Sequence, residues 1–503
     1  MLVLLSIATL TYAVVPANGY VAQTGQAAGV MVRMRNDPTP LAIAKAGGQP
    51  GLSAQTVAEM KVVAAAELSF KRTASLGTQV LNFSQPMSVA DAQAIAERLM
   101  TMANVEYATP NLIFKPMLSP DDPRFTDGTQ WALNGVTAGA NLPAAWDITI
   151  GSNSVAIAVI DTGYTNHSEL NSTNFASDGY DFITNTTEAG DGDGRDSNAR
   201  DEGDFCISDG SNSSWHGTAV MSLIGALTNN ATLMAGVNWN AKMIPVRVLG
   251  RCGGTGDDLI DAIRWAAGLP VSGVPNNPNP AKVINMSLGG TGACDVLTQA
   301  AIDDAHAAGA VLIAAAGNET MPGTSSSPAN CNHVMAIAAH DLYGDIAVFS
   351  NYGDKIDLSA PGLGIYVATC SSPTSYNCDN SSAVITESGT SLSAPMVSGV
   401  ASLLFAVNGS LNNFYAEEIL RNSSRAFPAN STCINNCGAG MLDAGAALAL
   451  MNNFVTPATE VEISKDSGGD VLPGFWLGLG LLVLGYRRFK QCAWHAAQKQ
   501  KSS

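Results

Sequence analysis

The chain has 503 residues, 46% of them apolar, and a formal net charge of −17. That length allows more than one domain, and that apolar share fills a large core. The acidity argues against a nucleic-acid-binding surface, and no GxGxxG or P-loop pattern points to an organic cofactor.

Met1 to Leu10 is apolar and reads as the core of a secretory signal spanning 1–19, with a cleavage point after Ala17 or Gly19. A basic stretch ahead of it is missing, so the reading expects a true start further upstream. Residues 20–118 read as a separate small domain. Gly29–Met34 alternates like a strand, Ser88–Met100 reads as a serine-capped helix, and Val105–Asn111 closes the unit as a strand. From 119 to 450 the elements alternate. Strands are expected at 154–160, 244–249, 283–287 and 310–315, and helices at 216–227, 257–267, 295–308 and 391–406. That order predicts an α/β domain, a mainly parallel sheet with helices on both faces. Residues 451–470 are polar and linker-like. The tail 471–503 opens with the apolar run Val471–Tyr486 and continues with Arg487, Arg488 and Lys490. The run is short for a membrane span, which takes about 20 residues, and the basic cluster would stay cytoplasmic.

Three sites carry chemistry-bearing residues at the ends of these elements. Val155–Ile160 is a buried-strand pattern ending at Asp161-Thr162-Gly163, and functional groups gather at the carboxyl ends of parallel strands. His216-Gly217-Thr218 opens an apolar helix. Gly389-Thr390-Ser391-Leu392-Ser393-Ala394-Pro395 opens another, which places a hydroxyl beside unpaired N–H groups and the positive end of a helix dipole. Each has a plain structural alternative: a turn carboxylate, a helix-cap histidine, a capping serine. The three together, in the order Asp, His, Ser, are those of one known arrangement.

On these motifs the chain resembles the subtilisin-like serine proteases, the subtilases of peptidase family S8, over roughly residues 119 to 450. Ala314-Ala315-Ala316-Gly317-Asn318 and Asn285-Met286-Ser287-Leu288-Gly289-Gly290 add to the likeness. The resemblance implies a three-layer α/β/α fold and a triad of Asp161, His216 and Ser391. It implies an oxyanion donor in Asn318 and substrate-binding residues in Ser287, Leu288, Gly289, Ala315 and Gly317. It implies hydrolysis of proteins and peptides by a secreted monomeric endopeptidase. Residues 20–118, with their Val-Glu-Tyr…Pro-Asn ending, resemble the inhibitory propeptides of that family, small α+β (ferredoxin-like) folding templates cut off near Lys115 to Ser119. Ser467-Gly468-Gly469 and the tail resemble the Gly-Gly sorting tails of Gram-negative bacteria, which implies export by type II secretion machinery and a rhombosortase partner. A plain inner-membrane anchor is the alternative.

Nine cysteines, eight of them in the enzyme-like region, suit an oxidising compartment. Closeness in the chain suggests Cys206–Cys252, Cys294–Cys331, Cys370–Cys378 and Cys433–Cys437, out of about a hundred possible pairings. Cys492 is left over. The carboxylates Asp191, Asp193, Asp196, Asp201 and Asp204 lie on a glycine-rich loop that suits calcium, with a solvated acidic loop as the alternative. Two rival readings remain. Asp-Thr-Gly also marks aspartic proteases, but its only companion, Asp466-Ser467-Gly468, lies in a polar stretch outside any core. A catalytically degenerate subtilase acting as a surface binding protein is the other.

Overall fold

In the computed structural model of the protein the described residues are 26–35, 51–74, 77–113, 118–171, 173–372, 378 and 381–452. The readings of the signal, of Lys115, of the paired motif at Asp466, of Cys492 and of the tail lie outside them.

Residues 26–112 build a small sheet with its own core. Its strands are β1 (Gln26–Met34), β2 (Leu68–Thr73), β3 (Thr78–Ser88) and β4 (Val105–Leu112), antiparallel in the order β2-β3-β1-β4. Alternation along β1 sends Val30 and Val32 inward to the helices Ala54–Ala64 and Val89–Met100. The order strand, helix, strand, strand, helix, strand is the ferredoxin-like arrangement. Ser88 caps its helix, accepting from the Asp91 N–H at 3.1 Å.

The larger region is built on seven parallel strands. They are β5 (Ala156–Asp161), β6 (Tyr180–Asp181), β7 (Lys242–Arg247), β8 (Val283–Met286), β10 (Val311–Ala315), β12 (Val334–His340) and β13 (Leu358–Pro361). Their order is β13-β12-β10-β8-β5-β7-β6. Two antiparallel pairs lie apart from this sheet: β9 (Gly290–Thr291) with β11 (Ser326–Ser327), and β14 (Ile365–Thr369) with β15 (Ala383–Glu387).

The seven strands are buried on both faces. In β5, Ile157 and Val159 join one core while Ala158 and Ile160 join the other. The first core is covered by the helices His216–Gly225, Thr390–Val407 and Ala444–Asn452, the second by Gly256–Ala266 and Val296–Ala307. This is the expected three-layer α/β/α fold. Thr390–Val407 is the one helix among the described residues apolar and long enough to cross a membrane, yet it is buried between sheet and outer helices.

Strand β7 sits two residues earlier than the reading placed it. Val248 and Leu249 leave the ladder because both their N–H groups bond the Asp161 carbonyl, at 2.9 and 3.2 Å. The four cysteine pairings suggested by closeness are those the fold makes.

Candidate active site

Strand β5 delivers Asp161 to the carboxyl edge of the sheet with no solvent exposure. The turn after it passes very close to the start of the His216 helix. A Cβ on Gly217 would stand 2.1 Å from the Gly163 carbonyl oxygen, and one on Gly163 would stand 2.3 Å from that of Ala199. Only glycine permits both approaches. As a result the Asp161 carboxylate reaches His216: Oδ1 lies 2.8 Å from Nδ1 and also accepts the Thr162 N–H at 2.8 Å. The Nδ1 contact fixes the ring and leaves Nε2 for the cleft. Burial opposes protonation of the ring, but Asp161, by hydrogen bond and charge, and the nearby Asp204 and Asp201 outweigh it and hold the His216 pKa above its ordinary value.

Ser391 lies in the first turn of its helix, whose cap is Gly389 rather than the serine. Pro395 follows four residues later and has no N–H, so the Ser391 carbonyl lacks its intrahelical donor. The Ser287 hydroxyl takes that place at 2.8 Å. Ser287 is in turn held by Asn285 (2.9 Å), and Asn285 by Ser398 (2.9 Å). This buried chain ties the end of β8 to the serine helix. The Ser287 hydroxyl therefore serves the helix.

Asn318 follows β10. Its Oδ1 accepts from both the N–H and the hydroxyl of Thr390, each at 2.9 Å, which turns Nδ2 outward as a donor. Nδ2 and the Ser391 hydroxyl stand 3.6 and 3.8 Å from the position a Cβ on Gly389 would occupy. A recess of about 630 Å³ gathers His216, Asn318 and Ser391 with Ser287, Leu288, Gly289, Ala315 and Gly317. Ser326, Ser327 and Pro328 also line it.

Asp201 has a role that sequence reading missed. It is buried, and its Oδ2 accepts the Thr162 hydroxyl at 2.6 Å, while that hydroxyl accepts the Gly217 N–H at 2.9 Å. One hydroxyl thus ties the Asp161 turn to the His216 turn, with Asp201 holding it. Burial pushes Asp201 up to about 7.

The calcium site expected at Asp191, Asp193, Asp196, Asp201 and Asp204 was read from clustered carboxylates. Among the described residues no three His, Cys, Asp or Glu side chains gather as a metal site. These carboxylates are taken up singly. Asp191 lies 3.5 Å from the buried Arg247 guanidinium and accepts the Asp193 N–H; Asp196 accepts the Asn198 N–H; Asp204 accepts the N–H and hydroxyl of Ser214. Asp193 itself is exposed. Asp122 and Glu169 are both fully buried and are bridged by the 229–232 loop, Asp122 to the Asn229 N–H and Glu169 to the Thr232 hydroxyl. Burial pushes Glu169 up to about 7 and raises Asp122 as well, an electrostatic cost that a cation would relieve.

Comparison with known proteins agrees with the architecture. Residues 152–440 match the model of the Subtilase family, Peptidase S8. An extracellular protease of Xanthomonas campestris pv. campestris is 42% identical over 76% of this chain and 65% of its own length. An extracellular basic protease of Dichelobacter nodosus is 35% identical over 81% of this chain and 69% of its own. A solved protease structure from Pseudoalteromonas arctica superposes with a TM-score of 0.62 at 44% identity, covering 66% of this chain and all of that one. The chain belongs to the Subtilase family. The matched stretch spans about two thirds of the curated relatives' length.

Proposed function

We propose that the chain is an exported endopeptidase that cuts peptide bonds through Asp161, His216 and Ser391. The observation that carries this reading is the 2.8 Å contact from Asp161 to Nδ1 of His216, in a recess that also holds Ser391 and Asn318. Ser391 Oγ attacks the peptide carbonyl and its proton passes to Nε2 of His216. Asp161 stabilises the imidazolium. Asn318 Nδ2 and the Ser391 N–H receive the charge on the carbonyl oxygen. The leaving amine takes the proton back, and water releases the acyl group by the same path. The small side chains of Ser326 and Ser327 leave room for a large apolar residue before the cut bond. Casein hydrolysis should fall by about six orders of magnitude in Ser391→Ala; hydrolysis at the wild-type rate would refute the assignment.

We further propose that residues 20–118 serve as a propeptide. Their independent core and ferredoxin-like arrangement support a folding template for a slow-folding parallel sheet. Expression without them should yield little active enzyme, and full activity would exclude the role. For calcium, Asp122 and Glu169 are the proposed carboxylate ligands.

A further inference from the structure

A second recess, of about 660 Å³, meets the first at the reacting groups. The two share Ser214, His216, Asn318 and Ser391 and otherwise have separate walls. A bound peptide has two sides. With the acyl side along Ser287 to Gly289, the residues after the cut bond are left to the second recess.

The far wall of this recess is built in an unusual way. Every second residue of β15, namely Ala383, Ile385 and Glu387, lines it, and β15 is paired to β14 through Thr369, Val367 and Ile365. At the end of β14, Cys370 is bridged to Cys378. The bridge packs on Trp215 as a small apolar cluster apart from both sheet cores. Trp215 precedes His216, is buried in a left-handed backbone conformation at φ 52°, and donates its indole N–H to the Ser372 carbonyl at 2.8 Å. That conformation is unfavourable for a bulky residue and persists only where surroundings impose it. The bridge therefore backs both the recess wall and the residue next to the general base.

We propose that the Cys370–Cys378 bridge, clamped on Trp215, sets specificity on the leaving-group side by fixing a wall that accepts an apolar side chain after the cut bond. Leu392, Ala219 and Ile385 supply the apolar lining. Glu387, at the exposed end of β15, is the carboxylate of that lining and disfavours acidic residues. The proposal rests on the acyl-enzyme reading above.

Acyl transfer tests it. When Ser391 carries an acyl group, an added amine seated in this recess attacks the ester carbonyl. A C–N bond forms and the bond to Ser391 Oγ breaks. The amine proton passes to His216 and then to Oγ. Active enzyme from the full-length chain would be given a peptide ester with leucinamide or glutamic acid α-amide, and the amide and hydrolysis products separated by chromatography. Leucinamide should be captured about tenfold better than the acidic amide. The ratio is internal to each enzyme, so a general loss of activity cannot imitate it. In Cys370→Ala/Cys378→Ala the ratio should collapse towards one. An unchanged ratio in that variant, or no preference in the wild type, would overturn the proposal. Should the double variant fail to fold, Ile385→Ala keeps the bridge and should lower leucinamide capture several-fold; equal capture would overturn it too. A wild type that does not turn over the ester at all would instead defeat the acyl-enzyme reading.

Discussion

Replacing Thr162 by valine keeps its shape and removes the hydroxyl that ties the two catalytic turns. Two groups lose a partner. The buried Gly217 N–H loses the acceptor 2.9 Å away, and Asp201, only 2% exposed, loses a donor at 2.6 Å. An orphaned buried N–H costs about 1–3 kcal/mol, and a hydrogen bond to an ionised group contributes about 1.5–3 kcal/mol. The expected loss is therefore about 3–5 kcal/mol, a large part of the stability of an ordinary domain. It should depend on pH. Asp201 ionises at about 7, so the charged part of the loss is absent well below that value and grows above it. Urea unfolding of wild type, Thr162→Val and Thr162→Ser on either side of neutrality measures this. Serine keeps the hydroxyl and should stay within about 1 kcal/mol of wild type. A valine variant as stable as the serine one, or a loss that shrinks as pH rises, would refute the reasoning.

Asn318→Ala should lower kcat about a hundred- to a thousandfold with little change in KM; a change confined to KM would mean that Asn318 binds substrate and does not stabilise the oxyanion. His340 is buried with both ring nitrogens bonded, to Ser359 (2.9 Å) and the Ala138 carbonyl (2.8 Å), and burial lowers its pKa to about 4. The neutral ring is the folded form. Its contribution, about 3 kcal/mol, is present above the ordinary value of 6.5 and is lost as pH falls towards 4. The stability gap between wild type and His340→Gln should therefore narrow over that window, and a widening gap would contradict it. Chelator should lower the melting temperature of wild type but not of Glu169→Gln, while Asp193→Asn should respond like wild type; the reverse pattern would restore the acidic loop as the calcium site.

Much of this was legible because the signals are local. A run such as Val155–Ile160 suits a strand buried on both sides, and the residue at its end falls at the sheet edge. Helices opening at His216 and near Ser391 follow from their small and apolar runs. The bridges close short segments, so nearness in the chain was a fair guide. What was missed depends on partners far apart. Arg247 takes up one of the loop carboxylates counted towards calcium, from another strand. Asp201 serves Thr162, 39 residues earlier. Asp122 and Glu169 meet through the loop at 229–232, and no spacing rule links the three. The role of Ser287 was hidden for a similar reason: only the fold shows that Pro395 leaves a carbonyl for it to satisfy.

Catalysis as proposed depends on Ser391 being made nucleophilic by His216. Labelling the active enzyme with phenylmethanesulfonyl fluoride, followed by peptide mapping by mass spectrometry, addresses that claim directly. One adduct on Ser391, absent from His216→Ala, is the predicted result. Modification elsewhere, or equal labelling of Ser391 without the histidine, would contradict it.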